Sequence, residues 1–588
     1  MKSFFKMFLA TVLGLLVTPI LLFFIFMIVG VIALSKDSTP TIFPESVLQL
    51  KLNGVITERT IDNPFEELMF PFSGIQQSST IGLNTISAVL KQAKEDDNIE
   101  GIYLDISNVS APLATIEEIR NYLFDFKKSE KFIYCYSESL SQSSYYLASV
   151  SDKIFVHPQG MIDLRGLASE IIFFKGLLDK IDLDMQIIRH GAYKSAVEPF
   201  MLDKMSAANK EQIQTCLGSV WNHIVVNISK SRFIDVETIN NSCDSLLFFD
   251  DIKEAVKRGF IDELMYKEQF EAFIRSELGK DEEETIHWVS LKDYKKRLLP
   301  PQIGQDKIAV IYAVGDIVES KEQAQFIDYS TAEEIIKAKK DKNVKAIVFR
   351  INSGGGSALI SDAIWREVYL AQQEKPLVVS MGDYAASGGY YIACASSYIV
   401  AHPSTITGSI GVFGVIPNME KLLANKLGVT VDRVTTNSHS DAISLTRSLD
   451  NYERAVLQNA VEKTYSTFLQ RVADGRELTT TFVNSIGEGR IWSGVDALRL
   501  NLVDTLGGLD VAIAKAAELA DISNYTLSEQ PVLKDFYQQL VEAFLENKVK
   551  TKLQKANLYQ TCTYFNFASS MLEWKGIQAR IPYIIDVY

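Results

Sequence analysis

Ser387 lies in the run Ala385-Ala386-Ser387-Gly388-Gly389-Tyr390-Tyr391, after the apolar strand pattern Leu377-Val378-Val379-Ser380 and ahead of an apolar helical stretch. A serine at a strand-to-helix turn has its hydroxyl exposed and its own N–H at a helix start, where developing negative charge is stabilised. That suits a nucleophile in acyl transfer. A serine there is equally a favoured helix N-cap, and the local residues leave both roles open. The run is not a Gly-x-Ser-x-Gly elbow, because position 385 is Ala and two glycines follow the serine. A second candidate is Asn352-Ser353-Gly354-Gly355-Gly356-Ser357, directly after the buried strand pattern Ala346–Ile351. Its glycines permit positive φ and close backbone approach, so that N–H groups can point at an anionic oxygen. No Gly-Lys-Ser/Thr follows, which argues against a phosphate loop.

Both candidates sit in the later copy of an internal repeat. Tyr145-Tyr146-Leu147-Ala148, Ile154 and His157-Pro158 recur 245 positions on as Tyr390-Tyr391-Ile392-Ala393, Ile399 and His402-Pro403. At the same offset Gln142 stands for Ser387, and Ser107-Asn108-Val109-Ser110-Ala111 stands for the glycine loop. Serine and glycines are lost together in one copy. A mere turn has no reason to lose its glycines alongside a serine, so the joint loss favours an oxyanion role at Gly355 or Gly356.

A serine nucleophile needs a base. His157 and His402 are repeat equivalents, which points to structural roles, and His190, His223, His287 and His439 carry no recognisable motif. The remaining option is a lysine made neutral by burial. Local pattern does not single one out among 59 basic residues.

Each half opens with a strand pattern (Val47–Leu52 and Ile308–Val314). Helical stretches at 83–95 and 331–341, strands at 101–106 and 346–351, helices at 114–128 and 358–374, and strands at 131–136 and 376–381 follow. Alternating strands and helices predict an α/β fold with mostly parallel strands. The stretch Leu298–Gln305 divides the halves. Residues beyond about 525 have no counterpart at the 245 offset and include an amphipathic pattern at 534–556.

A length of 588 residues accommodates two to four domains. The net charge of −14 argues against nucleic acid as a partner. Five scattered cysteines without C-x-x-C or zinc spacing suggest neither a metal site nor a disulfide framework. Cys394 is expected in the core. From Met7 to Ser35 no residue is charged, and Lys2 and Lys6 precede the run. That length suits a bilayer-spanning helix better than a cleaved signal peptide, whose apolar region is shorter. The flanking lysines keep residues 1–6 cytoplasmic. Residues 7–35 are therefore expected to be a transmembrane anchor contacting lipid. The rest is then expected outside the cytoplasm, on the periplasmic side if the source is a diderm bacterium.

Three segments carry a family resemblance: Arg189-His190-Gly191-Ala192-Tyr193-Lys194-Ser195-Ala196-Val197-Glu198-Pro199-Phe200, Met381–Tyr391, and His402-Pro403-Ser404-Thr405-Ile406-Thr407-Gly408-Ser409-Ile410-Gly411. They resemble the signal peptide peptidase A family of its long, membrane-anchored protease IV type, serine–lysine peptidases of family S49. The resemblance spans roughly residues 1–525. It implies tandem duplicated ClpP/crotonase-like α/β domains behind an N-terminal transmembrane helix. A first repeat at 46–300 supplies the lysine, a second at 301–525 supplies the serine, and 526–588 form an extension. It implies Ser387 as nucleophile, Lys194 as general base and acid, and Ser409 as the lysine's hydrogen-bond partner. Gly388 is expected to join Gly355 or Gly356 in the oxyanion hole. The family loop usually reads Ser-Pro-Gly-Gly where this chain has Ser353-Gly354-Gly355-Gly356, which leaves the choice of N–H open. Implied substrates are cleaved signal peptides, the implied assembly is a homotetramer, and no cofactor or metal is expected. Two other classes fit parts of the pattern: a crotonase-like enzyme of acyl-CoA thioesters, and a membrane scaffold that has lost activity.

Overall fold

The computed structural model describes residues 40–60, 80–107, 109–246, 251–298, 306–319, 326–533 and 577–581, with scattered positions between 4 and 21. The expected anchor at 7–35 and the amphipathic pattern at 534–556 lie largely or wholly outside the described residues. Among the described residues no helix is long and apolar enough to cross a membrane.

Two sheets repeat one strand order. The first runs Glu263–Leu264, Lys153–Val156, Phe132–Ser137, Ile99–Asp105, Ser46–Lys51 and His287–Ser290. The second runs Thr505–Leu506, Tyr398–Ala401, Leu377–Ala386, Val344–Ser353, Lys307–Val314 and Thr526–Gln530. All these pairings are parallel. Their central strands carry buried apolar runs, Ile102-Tyr103-Leu104 in the first sheet and Ala346-Ile347-Val348-Phe349 in the second, as parallel sheets covered by helices require. The helices repeat too: Leu113–Lys127 matches Ala358–Gln372, and Ala207–Arg232 matches Asn451–Arg476. The second sheet reaches Gln530, past the expected limit near 525, because Thr526–Gln530 pairs beside Lys307–Val314 as His287–Ser290 pairs beside Ser46–Lys51.

The second half extends a pairing that the first carries as the single parallel bridge Leu140↔Ile162. Ile406–Gly408 extends parallel to Tyr384–Ala386, and Ile491–Ser493 closes antiparallel on it. A further sheet joins the halves. In it Asp184–Arg189 of the first half pairs antiparallel with Phe413–Asn418 of the second, from Arg189↔Phe413 to Asp184↔Asn418. Gln578–Arg580 and Gly355–Ser357 complete that sheet.

A buried charge cluster also bridges the halves. Arg350, fully buried in the strand Val344–Ser353, lies 3.0 Å from Glu58 and 2.8 Å from Glu118. Glu118 also meets His402 at 3.0 Å and accepts from the Leu509 N–H. Asp383 accepts from both the N–H and the hydroxyl of Thr115, and from Asn352. Burial pushes the Glu118 carboxyl up, yet Arg350 and His402 together hold it well below the carboxylate range. Burial works against the charged form of His402, but Glu118 keeps it above its ordinary value. His402 therefore fastens the halves and stands away from the serine.

Candidate active site

The join between the halves brings Lys194 to Ser387. Lys194 follows the strand Asp184–Arg189, whose pairing with Phe413–Asn418 carries it onto the second half. Its Nζ lies 2.7 Å from Ser387 Oγ, 3.0 Å from Ser409 Oγ and 3.2 Å from the Ser409 carbonyl oxygen. Lys194 is 1% exposed and Ser387 and Ser409 are 0% and 2%. Burial, with no carboxylate in ion-pair distance among the described residues, holds the Lys194 amine well below the ordinary lysine value. A neutral amine against a hydroxyl can accept its proton.

Ser387 follows the strand Leu377–Ala386 without an intervening loop and has φ +55, ψ −114, a strained backbone for a residue with a side chain. It stands at the N-cap position of the helix Gly388–Ala393, but its hydroxyl makes no capping bond. The matching helix of the first half, Gln142–Ala148, is capped by Ser141, whose hydroxyl accepts from the Ser144 N–H. The N-cap alternative is thus realised in the first half and not in the second. The hydroxyl expected to be exposed is instead buried, within hydrogen-bond distance of Lys194 Nζ and of the Gly411 carbonyl oxygen.

Of the glycines, Gly355 has φ +101, and a Cβ built on it would stand 2.0 Å from the Ala579 carbonyl oxygen and 2.7 Å from Gly388 N. Only glycine lets three strands of backbone meet this closely. The Gly355 N–H donates to Ser353 Oγ at 3.1 Å, so it is engaged within its own loop. Gly388 N, at the first helical position, has no intrahelical acceptor. Gly356 N faces the same carbonyl through its pairing with Ala579. Ser387, Lys194, Ser409, Gly355, Gly356 and Gly388 thus converge. No histidine lies within hydrogen-bond distance of Ser387 among the described residues.

The turn Gly487-Glu488-Gly489 is a part that the sequence reading missed. Tyr193 N–H donates to the Glu488 carbonyl at 3.0 Å, and Gly489 N–H donates to the Ile410 carbonyl at 2.7 Å. A Cβ on Gly489 (φ +87) would stand 2.5 Å from both Cα and N of Lys194. The turn therefore seats the lysine backbone. Gln212 reinforces it, donating to the Tyr193 carbonyl and accepting from Ile491 N–H. Its only sequence signal was a Gly-x-Gly after a short helix.

In the first half Gln142 fills the nucleophile's place. Its Oε1 accepts from the N–H groups of Arg165 and Gly166 and its Nε2 donates to the Gly166 carbonyl. It ties down the loop that in the second half carries Ser409–Gly411. Among the described residues one trio, His439, Asp450 and Glu453, brings ligand atoms together, but Glu453 is held by Arg447. That argues for an ion-pair cluster over a metal site.

A family model described as "Peptidase family S49" matches residues 125–279 and 370–523, one match in each half. Protease 4 of Salmonella typhi is 36% identical over 534 residues, 88% of this chain and 85% of that protein. Protease 4 of Haemophilus influenzae is 32% identical over 524 residues, 86% and 85% of the two chains. The chloroplastic serine protease SPPA of Arabidopsis thaliana is 31% identical over 454 residues, 76% of this chain and 67% of its own.

Proposed function

The chain belongs to peptidase family S49 and is a serine-type peptidase, and from that premise we propose that it is a membrane-anchored endopeptidase working through a Ser387–Lys194 dyad. The observation that carries the dyad is the 2.7 Å approach of a buried, carboxylate-free Lys194 Nζ to Ser387 Oγ. Neutral Lys194 takes the Ser387 proton as Oγ attacks a peptide carbonyl. The oxyanion is held by Gly388 N–H with Gly356 N–H, Gly355 placing them by its close approach. Lys194 then gives its proton to the leaving amine, and an ester on Ser387 remains. Water, deprotonated by Lys194, attacks the ester. The acid product leaves and the proton returns to Ser387. Ser409 holds Lys194 on line throughout.

The substrates of this reading are apolar peptides, cleaved signal peptides among them. An anchor at 7–35 would place the catalytic halves at the outer face of a cell membrane, N-terminus inside, in a homotetramer. What supports it is the uncharged run of 29 positions from Met7 to Ser35 and the names Protease 4 and SPPA borne by the relatives. Ser387→Ala and Lys194→Ala, each purified with a wild-type circular dichroism spectrum, are expected to lose cleavage of an apolar model peptide by three orders of magnitude or more, about what single members of such dyads and triads contribute. Wild-type turnover in either variant would refute the dyad.

A further inference from the structure

We infer that residues 577–581 are a built-in occupant of the peptide groove, a pseudosubstrate strand that must leave before a substrate can reach Ser387; this rests on the peptidase reading above. Gln578–Arg580 runs antiparallel to the glycine strand, with Gly355↔Arg580, Gly356↔Ala579 and Ser357↔Gln578. On its other side Gln578 pairs with Phe413, so the segment lies between the glycine strand and the strand pair that joins the halves. Ile581 N–H donates to the Gly354 carbonyl at 2.8 Å, and Ala358 N–H to the Ile577 carbonyl at 3.2 Å. Antiparallel alternation then makes Gly356 and Ala579 the hydrogen-bonded pair between them. The Ala579 carbonyl oxygen therefore meets Gly356 N–H, and it stands 2.9 Å from where a Cβ on Gly388 would sit. The segment's backbone thus lies along the glycine strand and beside the start of the helix that carries the Gly388 N–H.

The side chains follow the pattern of strand addition, in which main-chain bonds supply affinity and alternate side chains supply selectivity. Ala579 is fully buried and packed in the core of the second half. Its place therefore admits a small residue. Ile581 packs near Cys216, Ile406 and Ile491, and Arg580 lies 3.2 Å from Asp316. With the segment in place Ser387 has no exposed surface, so no peptide can reach it. The groove's preferred ligand is accordingly an extended peptide with a small residue over Gly356 and aliphatic residues two positions to either side.

The test uses the full chain, Ala579→Trp, and a chain ending at Gly576. Hydrolysis of a short peptide carrying alanine at the central position and labelling of Ser387 by a fluorophosphonate are followed together, with the free peptide Ile-Gln-Ala-Arg-Ile added in trans. Both altered chains should label and cleave at least tenfold faster than wild type, and the free peptide should slow the shortened chain competitively. Unchanged rates in both altered chains, or no inhibition by the peptide, would overturn the pseudosubstrate strand while leaving an active wild type as a peptidase. A shortened chain that folds but loses activity would also overturn it, since the strand would then be part of the site. Absence of cleavage and of Ser387 labelling in all three would overturn the peptidase reading and this inference with it.

Discussion

Replacing Gly489 by Ala should disable the base without touching it. The added Cβ would stand 2.5 Å from Lys194 N and Cα and 2.6 Å from its Cβ, where ordinary contact begins at 3.4 Å. These are mostly backbone atoms, so the lysine segment must retreat by roughly 0.9 Å, the difference between those distances. If more than about 0.5 Å of that retreat lies along the Lys194–Ser387 line, the 2.7 Å approach opens beyond about 3.2 Å, the usual limit for a good hydrogen bond. Misplacement of a catalytic group on the order of 1 Å costs roughly a hundredfold. The positive φ of +87 adds strain to an alanine, on the order of 1–3 kcal/mol of stability. The assay is steady-state cleavage of a short peptide, with thermal melting to show that the variant folds. The loss should fall on kcat more than on KM, because the proton moves only in the transition state. Gly218→Ala is the control, since its Cβ meets nothing within 4 Å and it sits inside the helix Ala207–Arg232. It should leave turnover within about twofold and add slightly to stability. A folded Gly489→Ala enzyme with wild-type kcat would refute the claim that this turn seats the base.

The depressed Lys194 sets a pH signature: kcat/KM should rise as the amine loses its proton, with an inflection well below 10.5, and no such acid-side limb would contradict a neutral-lysine base. In the window between its folded and unfolded values the unfolded chain binds the extra proton, so stability rises with pH; Lys194→Met should flatten that slope in urea midpoints measured across the window. Glu118→Gln would leave Arg350 buried against Glu58 alone, at a cost of about 3–5 kcal/mol by denaturant unfolding, and a loss under 1 kcal/mol would show that the cluster does not clamp the halves. Because Glu118 is held below its unfolded value, its contribution is present above about pH 4.3 and is lost as pH falls further. Gln142→Ser should create no second nucleophile, since the place of Gln142 faces the Arg165–Gly166 loop; mass spectrometry should find one fluorophosphonate per chain, and two would refute it.

The parallel sheets were legible because their central strands are apolar runs bounded by helical periods, and the 245-position offset carried one half onto the other. That offset fails at the opening strands, where Ser46–Lys51 matches Lys307–Val314 across a different spacing. Ser387 was legible from its glycine neighbours and from its loss at Gln142. Lys194 was not, except through family resemblance. Its neutral state comes from burial between the halves, and no local pattern encodes that. Arg350 gave a sign that went unread: one charge in the apolar run Ala346–Ile351 requires a buried partner, and Glu58 and Glu118 supply it from the other half. Gln578–Arg580 has no strand signature. It pairs because the glycine strand offers backbone groups, and a three-residue strand with Gln and Arg carries too little apolar alternation to be read.

The divided site is tested most directly by peptide mapping of the acyl adduct formed with an activated peptide ester, in wild type and in Lys194→Met. A single ester on Ser387, forming faster as pH rises and slowed a thousandfold or more in Lys194→Met, is the expected result. An adduct on another residue, or one that forms on Ser387 equally fast without Lys194, would contradict a serine from one half working with a lysine from the other.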